Sequence, residues 1–258
     1  MYNWLMANKP LILAHRGALL NAPENTMKAF IRAFENEADG IECDIRVTAD
    51  GEFIVFHDET TERVIGVNWK IKKTKYAQLK HLRVFGKEPI AHADDILNLL
   101  VKKNKKICFF ELCFDNINDV NRLVEKIQEA GLEKRSYILA FPNKKHFLKR
   151  AKEIVPEIGI SIMPLLANKI INTAQKANAN SICAGWVDWP GAKSLFKMSA
   201  KFYNLRKQIQ DARDDGIFVS GGVANIPEEI EWFCAQGFEG IWTDDVLKAL
   251  DIIRGMHV

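Results

Sequence analysis

Short apolar runs alternate with amphipathic segments along almost the whole chain. Each run is typical of a buried strand, and most are followed by residues whose apolar positions recur at helical spacing. The runs occupy residues 11–17, 40–47, 106–113, 136–141, 157–163, 181–186, 217–219 and 240–243. Helical spacing is clearest over residues 25–38, 94–103, 117–130, 144–155, 167–179, 227–236 and 246–254. Eight strands alternating with helices predict an α/β protein, a parallel sheet closed into a (β/α)8 TIM barrel.

One segment interrupts this rhythm. Residues 59–91 follow the second strand and show no convincing helical spacing. We interpret them as a short insertion at the catalytic face of the barrel. The length of 258 residues matches one barrel of about 250 residues. The sequence therefore predicts a single barrel domain over residues 1–258 with a small insertion.

The charge of the chain excludes one class of partner. A formal net charge of +3 is too small to form a general nucleic-acid-binding surface. Most of the excess lies in residues 59–90, where eight basic residues outnumber three acidic ones. Two interpretations stay open for this segment: a solvated surface, or a basic rim that attracts an anionic substrate or membrane head groups. The pattern specifies no oligomeric state.

The cysteines and the N-terminus bear on the compartment. The chain has five cysteines, an odd number without CxxC spacing, which favours a reducing environment. Residues 1–17 contain no long apolar stretch after a basic start. We therefore expect neither a signal peptide nor a transmembrane helix, and a cytoplasmic location.

Ionisable side chains stand at the carboxyl ends of the first predicted strands. In a parallel barrel these ends meet at one mouth. The two-residue period of a strand places Glu42 and Asp44 on one face and turns Cys43 to the other. The residues concerned are His15, Arg16, Glu42, Asp44, His57 on a short arm over residues 52–58, and Glu111.

These residue types suit phosphodiester chemistry. Carboxylates that face into a barrel are costly to bury unpaired, so Glu42 and Asp44 require a metal or a basic partner such as Arg16. With Glu111 they offer hard oxygen ligands, which Mg²⁺ and Ca²⁺ prefer. The planar guanidinium of Arg16 matches a phosphate. His15 and His57, with ordinary pKa values of about 6.5, can serve as an acid and base pair.

An ordered set of motifs resembles a known family. The motifs are His15-Arg16-Gly17, Pro23-Glu24-Asn25-Thr26, Glu42-x-Asp44, Asp50-Gly51, His57-Asp58 and, near the end, GIWTDD over residues 240–245. Their order and spacing resemble the glycerophosphodiester phosphodiesterase family.

The resemblance implies a TIM-barrel hydrolase that converts glycerophosphodiesters to glycerol 3-phosphate and an alcohol. It also implies a divalent cation on the three carboxylates, Arg16 on the substrate phosphate, and acid–base catalysis by His15 and His57. In that mechanism the glycerol hydroxyl attacks first, and water opens the resulting cyclic phosphate.

Two departures from the family pattern bear on activity. Cys113 stands where the family usually has a lysine, on the strand face of Glu111. A thiol carries no positive charge, so we expect weak activity or a substrate with its own cation, unless Lys70 or Lys72 reaches into the site. Near the seventh strand, Ser220-Gly221-Gly222 replaces an aromatic segment. These glycines suit either a phosphate-binding loop or a tight turn.

Two alternative functions remain open at this stage. One is a phospholipase-D-like enzyme or lyase acting on lysophospholipids, which the basic insertion and Trp186 and Trp189 at the rim would assist. The same tryptophans would otherwise form an apolar wall of the core. The other is a weakly active barrel that binds phosphorylated metabolites. The missing lysine favours this reading, while the two histidines oppose it.

Overall fold

The computed structural model describes residues 9–20, 22–168, 170–187 and 189–256. Residues 1–8, on which the expectation of no signal peptide partly depends, lie outside these ranges. No helix in the described part of the chain has both the length and the apolar character needed to cross a bilayer.

The described strands follow the predicted order. They are β1 (Leu11–His15), β2 (Gly40–Val47), β3 (Phe53–Val55), β4 (Arg83–Val84), β5 (Glu88–Pro89), β6 (Ala91–His92), β7 (Ile107–Leu112), β8 (Ser136–Ala140), β9 (Gly159–Ile162), β10 (Ser181–Ala184), β11 (Phe218–Gly221) and β12 (Gly240–Thr243). Within the described part of the chain, eight of these strands pair in parallel in the order β1-β2-β7-β8-β9-β10-β11-β12, and β12 pairs with β1 to close the barrel. The predicted TIM barrel is confirmed.

Helices cover the outside of the barrel. They are α1 (Met27–Glu35), α2 (Glu62–Ile65), α3 (Tyr76–Leu79), α4 (Ala93–Lys102), α5 (Ile117–Glu129), α6 (Lys145–Ile154), α7 (Ile170–Ala177), α8 (Ala192–Phe202), α9 (Leu205–Asp214), α10 (Pro227–Gln236) and α11 (Val246–Gly255). The first begins at Thr26, whose hydroxyl accepts a hydrogen bond from the Ala29 amide at 3.3 Å, a favourable N-cap. Helix α10 begins and ends where its sequence pattern predicts.

The insertion is small and builds on the barrel edge. Strand β3 pairs antiparallel with β2, and β6 pairs antiparallel with β3. Between them lie the one-turn helices α2 and α3 and the hairpin β4–β5. Val64, Ile71 and Leu79 are buried in a separate apolar cluster with the end of the arm. One-turn helices are too short to show a helical period, which is why the sequence indicated none here.

An apolar floor fills the inside of the barrel. Its buried side chains are Leu13, Ile107, Phe109, Leu139, Phe218 and Trp242. The Phe109 ring stacks on Tyr137 with 4.5 Å between centroids and meets Trp242 edge-on at 4.9 Å. Phe109 pairs with Glu42 across the β2–β7 ladder, and Asp44 pairs with Glu111 two residues further along, so this floor lies beside Glu42 and beneath Asp44 and Glu111. The polar groups are thereby confined to the mouth.

Phe109→Ala should lower the free energy of unfolding by about 3–5 kcal/mol, because it removes a fully buried ring and leaves a cavity. Phe202→Ala is the matched control. Its ring is 80% exposed, so its cost should stay within about 0.5 kcal/mol. Denaturant unfolding followed by circular dichroism measures both values. Equal shifts in the two variants would show that Phe109 is not a packing centre.

Candidate active site

A cavity of about 1070 Å³ opens at the carboxyl ends of the barrel strands. Five of the six predicted site residues line it, and Asp44 lies buried beside them with 1% exposure. One side of the cavity is polar and is formed by the ends of β12, β1, β2 and β7. The opposite side is largely apolar and comes from the β8–β10 ends: Leu139, Phe141, Met163, Leu165, Trp186 and Trp189.

Two of the predicted carboxylates meet directly. Asp44 and Glu111 are register partners across β2 and β7. One ligand atom from each of Asp44, Glu111 and Cys113 lies within 4.8 Å of the other two. Glu42 is not a member of this trio. Its Oε2 accepts a hydrogen bond from the Arg16 amide at 3.1 Å, while its Oε1 is buried without a hydrogen-bond partner.

Negative charge is concentrated here beyond what the protein compensates. Burial, together with the nearby Asp44 carboxylate, raises the pKa of Glu111 to about 8. Burial, followed by Asp44 and Glu111, raises the pKa of Glu42 well above its ordinary value. Burial alone would lower the pKa of Arg16, but the surrounding carboxylates outweigh it and raise that pKa. A divalent cation fits this site, because the site offers oxygen donors and a buried carboxylate oxygen without a partner.

The loop after β1 shapes the polar side of the cavity. Arg16 and Asn25 both adopt left-handed backbone conformations with φ of 56°, which are uncommon for residues other than glycine and are found at functional sites. The Asn25 amide donates to the Arg16 carbonyl at 3.0 Å. Asn25 Nδ2 donates to Asp44 Oδ2 at 2.7 Å, and Arg16 Nε lies 3.2 Å from the same oxygen. Asn25 therefore orients a carboxylate as well as its own loop.

His15 is held by residues that follow the last two barrel strands. Its Nδ1 lies 2.9 Å from Asp244 Oδ1. Asn225 Nδ2 in turn donates to Asp244 Oδ2 at 2.6 Å, and the Asp244 amide donates to Asn225 Oδ1 at 2.8 Å. Burial alone would raise the pKa of Asp244, but its interactions with His15, Asn225 and Arg16 together outweigh burial and lower that pKa. The loops after β1, β11 and β12 thus fix one imidazole.

His57 is held by a second carboxylate. Its Nδ1 lies 2.6 Å from Asp58 Oδ1. Arg63, from α2 in the insertion, donates to Asp58 Oδ2 and to Glu24 Oε1, each at 2.6 Å. Glu24 Oε1 also accepts from Arg16 at 3.3 Å. A chain of alternating charges therefore joins the His57 loop to the Arg16 loop.

Three contributors to this network were missed by sequence reasoning. Arg46 Nε donates to the His57 carbonyl and Arg46 Nη1 to the Cys113 carbonyl, both at 2.8 Å. Its place on the β2 face of Glu42 and Asp44 is a period-two signal that could have indicated it. The contact of Arg63 with Glu24 and that of Asn225 with Asp244 join segments distant in sequence, so no local pattern identifies them.

The suggested replacement for the missing lysine is wrong. Lys70 and Lys72 are exposed, and neither lines the cavity. Lys70 lies in a β-bridge with Thr60 on the insertion, which keeps it at the surface. Lys144 is nearer to Glu111, but its Nζ donates to the carbonyls of Leu112 and Phe114 at 2.9 and 2.8 Å.

The glycine-rich loop after β11 serves packing. Ser220 Oγ accepts from the Trp242 indole at 3.0 Å. A Cβ on Gly185 would meet the Gly222 carbonyl oxygen at 1.8 Å, so the two backbones need glycine to approach. The Ala224 amide donates to Trp242, and the Asn225 amide donates to the Glu229 carboxylate. These two amides are therefore already paired within the protein.

Comparisons with known proteins identify the family of this chain. The model of the glycerophosphoryl diester phosphodiesterase family matches residues 15–248. The chain is similar to a glycerophosphodiester phosphodiesterase of Caldanaerobacter subterraneus subsp. tengcongensis, with 26% identity over 260 residues, 95% of this chain and 98% of the relative.

Solved structures share the fold. The chain superimposes on a putative glycerophosphoryl diester phosphodiesterase from Silicibacter pomeroyi with a TM-score of 0.80 and 17% identity, over 98% of this chain and 96% of that one. An Oleispira antarctica phosphodiesterase in complex with the product sn-glycerol-3-phosphate gives a TM-score of 0.76 at 20% identity, over 95% and 97% of the two chains. On the family match and the barrel, this protein is a phosphodiester hydrolase that belongs to the glycerophosphoryl diester phosphodiesterase family.

Proposed function

We propose that the protein hydrolyses glycerophosphodiesters to glycerol 3-phosphate and an alcohol, with a divalent cation and with His15 and His57 as its acid and base. The observation that carries the proposal is the paired arrangement of the histidines, each with Nδ1 against its own aspartate at the edge of one acidic cavity. The product bound to the Oleispira antarctica phosphodiesterase, sn-glycerol-3-phosphate, supports this substrate class.

The cation would be held by Asp44 and Glu111, with Glu42 next to them. Bound there, it would neutralise charge on the phosphate oxygens. By themselves these carboxylates favour Mg²⁺ or Ca²⁺. Arg16 also lines the cavity, and its guanidinium would bind a phosphate oxygen while Glu24 at Nη1 and Asp44 at Nε orient the group. Positive charge would thus approach the phosphate from two groups.

The histidines would move the protons. Because each Nδ1 faces a carboxylate, Nε2 is the nitrogen available to the substrate. One imidazole takes the proton of the attacking hydroxyl, from the glycerol or from water, as its oxygen bonds to phosphorus. The other gives a proton to the alcohol oxygen as its P–O bond breaks. Asp244 and Asp58 stabilise whichever imidazole becomes cationic.

One observation favours a second candidate, a phospholipase-D-like enzyme or lyase that acts on lysophospholipids. Leu165 and Trp189 line the cavity and are 58% and 53% exposed. Trp186 continues this apolar wall inward and packs on Phe233 with 4.8 Å between ring centroids. An acyl chain could lie along such a wall. Glycerophosphocholine and lysophosphatidylcholine, assayed in parallel, distinguish the two substrate classes by their products.

The metal requirement can be tested directly. A chelator should abolish hydrolysis of glycerophosphocholine, and added divalent cation should restore it. Glu111→Gln should lower kcat/KM by at least about 100-fold, because it removes a ligand charge from the cation. Glu129→Gln, at the exposed end of α5, is the matched control and should retain full activity. Hydrolysis that persists in chelator would contradict the metal mechanism.

The acid–base pair can be tested by two single substitutions. His15→Ala and His57→Ala should each lower kcat by about 10²- to 10⁴-fold, with little change in melting temperature because both side chains lie at the cavity edge. His81→Ala, on an exposed residue of the insertion, should behave as wild type. A His15 or His57 variant that unfolds, or that keeps nearly full activity, would assign that histidine a structural role.

A further inference from the structure

Cys113 occupies an unusual position for a thiol in this cavity. It follows β7 directly and is two residues from Glu111, on the inward face. Its Sγ lies 3.5 Å from Asp44 Oδ1. With Glu111 the three residues present donor atoms within 4.8 Å of one another. Sulfur and oxygen donors are therefore gathered at one point.

The spacing matches a coordination geometry. In a tetrahedral zinc site the Zn–S distance is about 2.3 Å and the Zn–O distance about 2.1 Å. The two donor atoms are then about 3.6 Å apart at the tetrahedral angle. The observed separation of 3.5 Å between Cys113 Sγ and Asp44 Oδ1 places both atoms where one ion can contact them without a large movement.

The Glu42 carboxylate gives a separate indication that a cation binds in this cavity. Glu42 is 3% exposed, and its Oε1 has no hydrogen-bond partner. The side chain lies on the inward face of β2 with Asp44, and it lines the cavity together with Glu111. A buried carboxylate oxygen left without a partner is costly. A cation bound by the trio would bring positive charge into the cavity that this carboxylate lines.

We propose that Cys113 is a direct metal ligand beside Asp44 and Glu111, and that this mixed sulfur and oxygen site prefers Zn²⁺ to Mg²⁺ or Ca²⁺. Thiolate ligands select zinc, whereas Mg²⁺ and Ca²⁺ take oxygen donors. A coordinating thiol loses its proton to solvent. The proposal uses the metal position of the proposed function and changes the ion that occupies it.

The competing interpretation is a thiol that only donates a weak hydrogen bond to Asp44. Cobalt distinguishes the two, because a thiolate bound to Co²⁺ gives a charge-transfer absorption in the near ultraviolet and oxygen ligands do not. The metal-free wild-type protein should develop this band on titration with Co²⁺, saturating at one equivalent. Zn²⁺ should displace Co²⁺ and remove the band, while a large excess of Mg²⁺ should not.

Two cysteine variants identify which residue supplies the sulfur ligand. Cys113→Ser keeps a donor for Asp44 but removes the thiolate, so it should lose the band and bind Zn²⁺ at least about tenfold more weakly in equilibrium dialysis. Cys234→Ser is the matched control. This cysteine lies near the end of α10, outside the barrel, and its variant should keep both the band and the affinity.

Three results would overturn the ligand assignment or the zinc preference alone. Co²⁺ bound without a charge-transfer band would exclude a sulfur ligand, and this result requires only the wild-type protein. A band that survives Cys113→Ser would assign the sulfur ligand to another cysteine, and equal displacement by Mg²⁺ and Zn²⁺ would refute the preference for zinc. Glycerophosphocholine hydrolysis by the same preparation shows whether the proposed function stands independently. A protein that binds no divalent cation and hydrolyses no diester would refute the proposed function together with the ligand assignment.

Discussion

The burial of acidic groups above an apolar floor is the constraint on which the site depends. Glu42 is 3% exposed and is the register partner of Phe109, while Asp44 is 1% exposed and pairs with Glu111. Burial and neighbouring carboxylates oppose ionisation of Glu42 and Glu111 and raise the pKa of each. Arg16 offsets only part of this effect. Added positive charge would therefore favour the ionised forms of Glu42 and Glu111.

The histidines depend on a different part of the structure. Each is oriented by a carboxylate from the loops: Asp244 after β12 and Asp58 after the β3 arm. The insertion contributes through Arg63, which joins Asp58 to Glu24. The barrel strands supply the carboxylates of the acidic cluster, while the loops supply the carboxylates that hold the two histidines. Variation in the loops can thus alter the contacts of the histidines without disturbing the acidic cluster.

The hydrophobic periodicity of the sequence predicted the features that depend on strand alternation. The eight barrel strands and the shared face of Glu42 and Asp44 follow from strand alternation and a buried core. Arg46 lies on that same face, so its presence at the site could also have been predicted. Arg63 and Asn225 could not, because the contact of Arg63 with Glu24 and that of Asn225 with Asp244 join segments that are distant in sequence. The prediction that Lys70 or Lys72 reaches into the site was wrong, because the number of basic residues in a segment does not indicate where their side chains point.

Cys113 stands where the family pattern has a lysine, so a neutral thiol replaces a positive charge beside Glu111. Lys144 does not restore the charge, because its Nζ is bound to carbonyls at the end of β7 and paired with Asp115 at 3.1 Å. Burial raises the pKa of Cys113 well above its ordinary value, so without metal the group is neutral. A thiolate on the ion would cancel more of its charge than a neutral ligand would. The phosphate would then depend more strongly on Arg16 and on a protonated histidine, and a diester whose alcohol carries a positive charge would suit this site best.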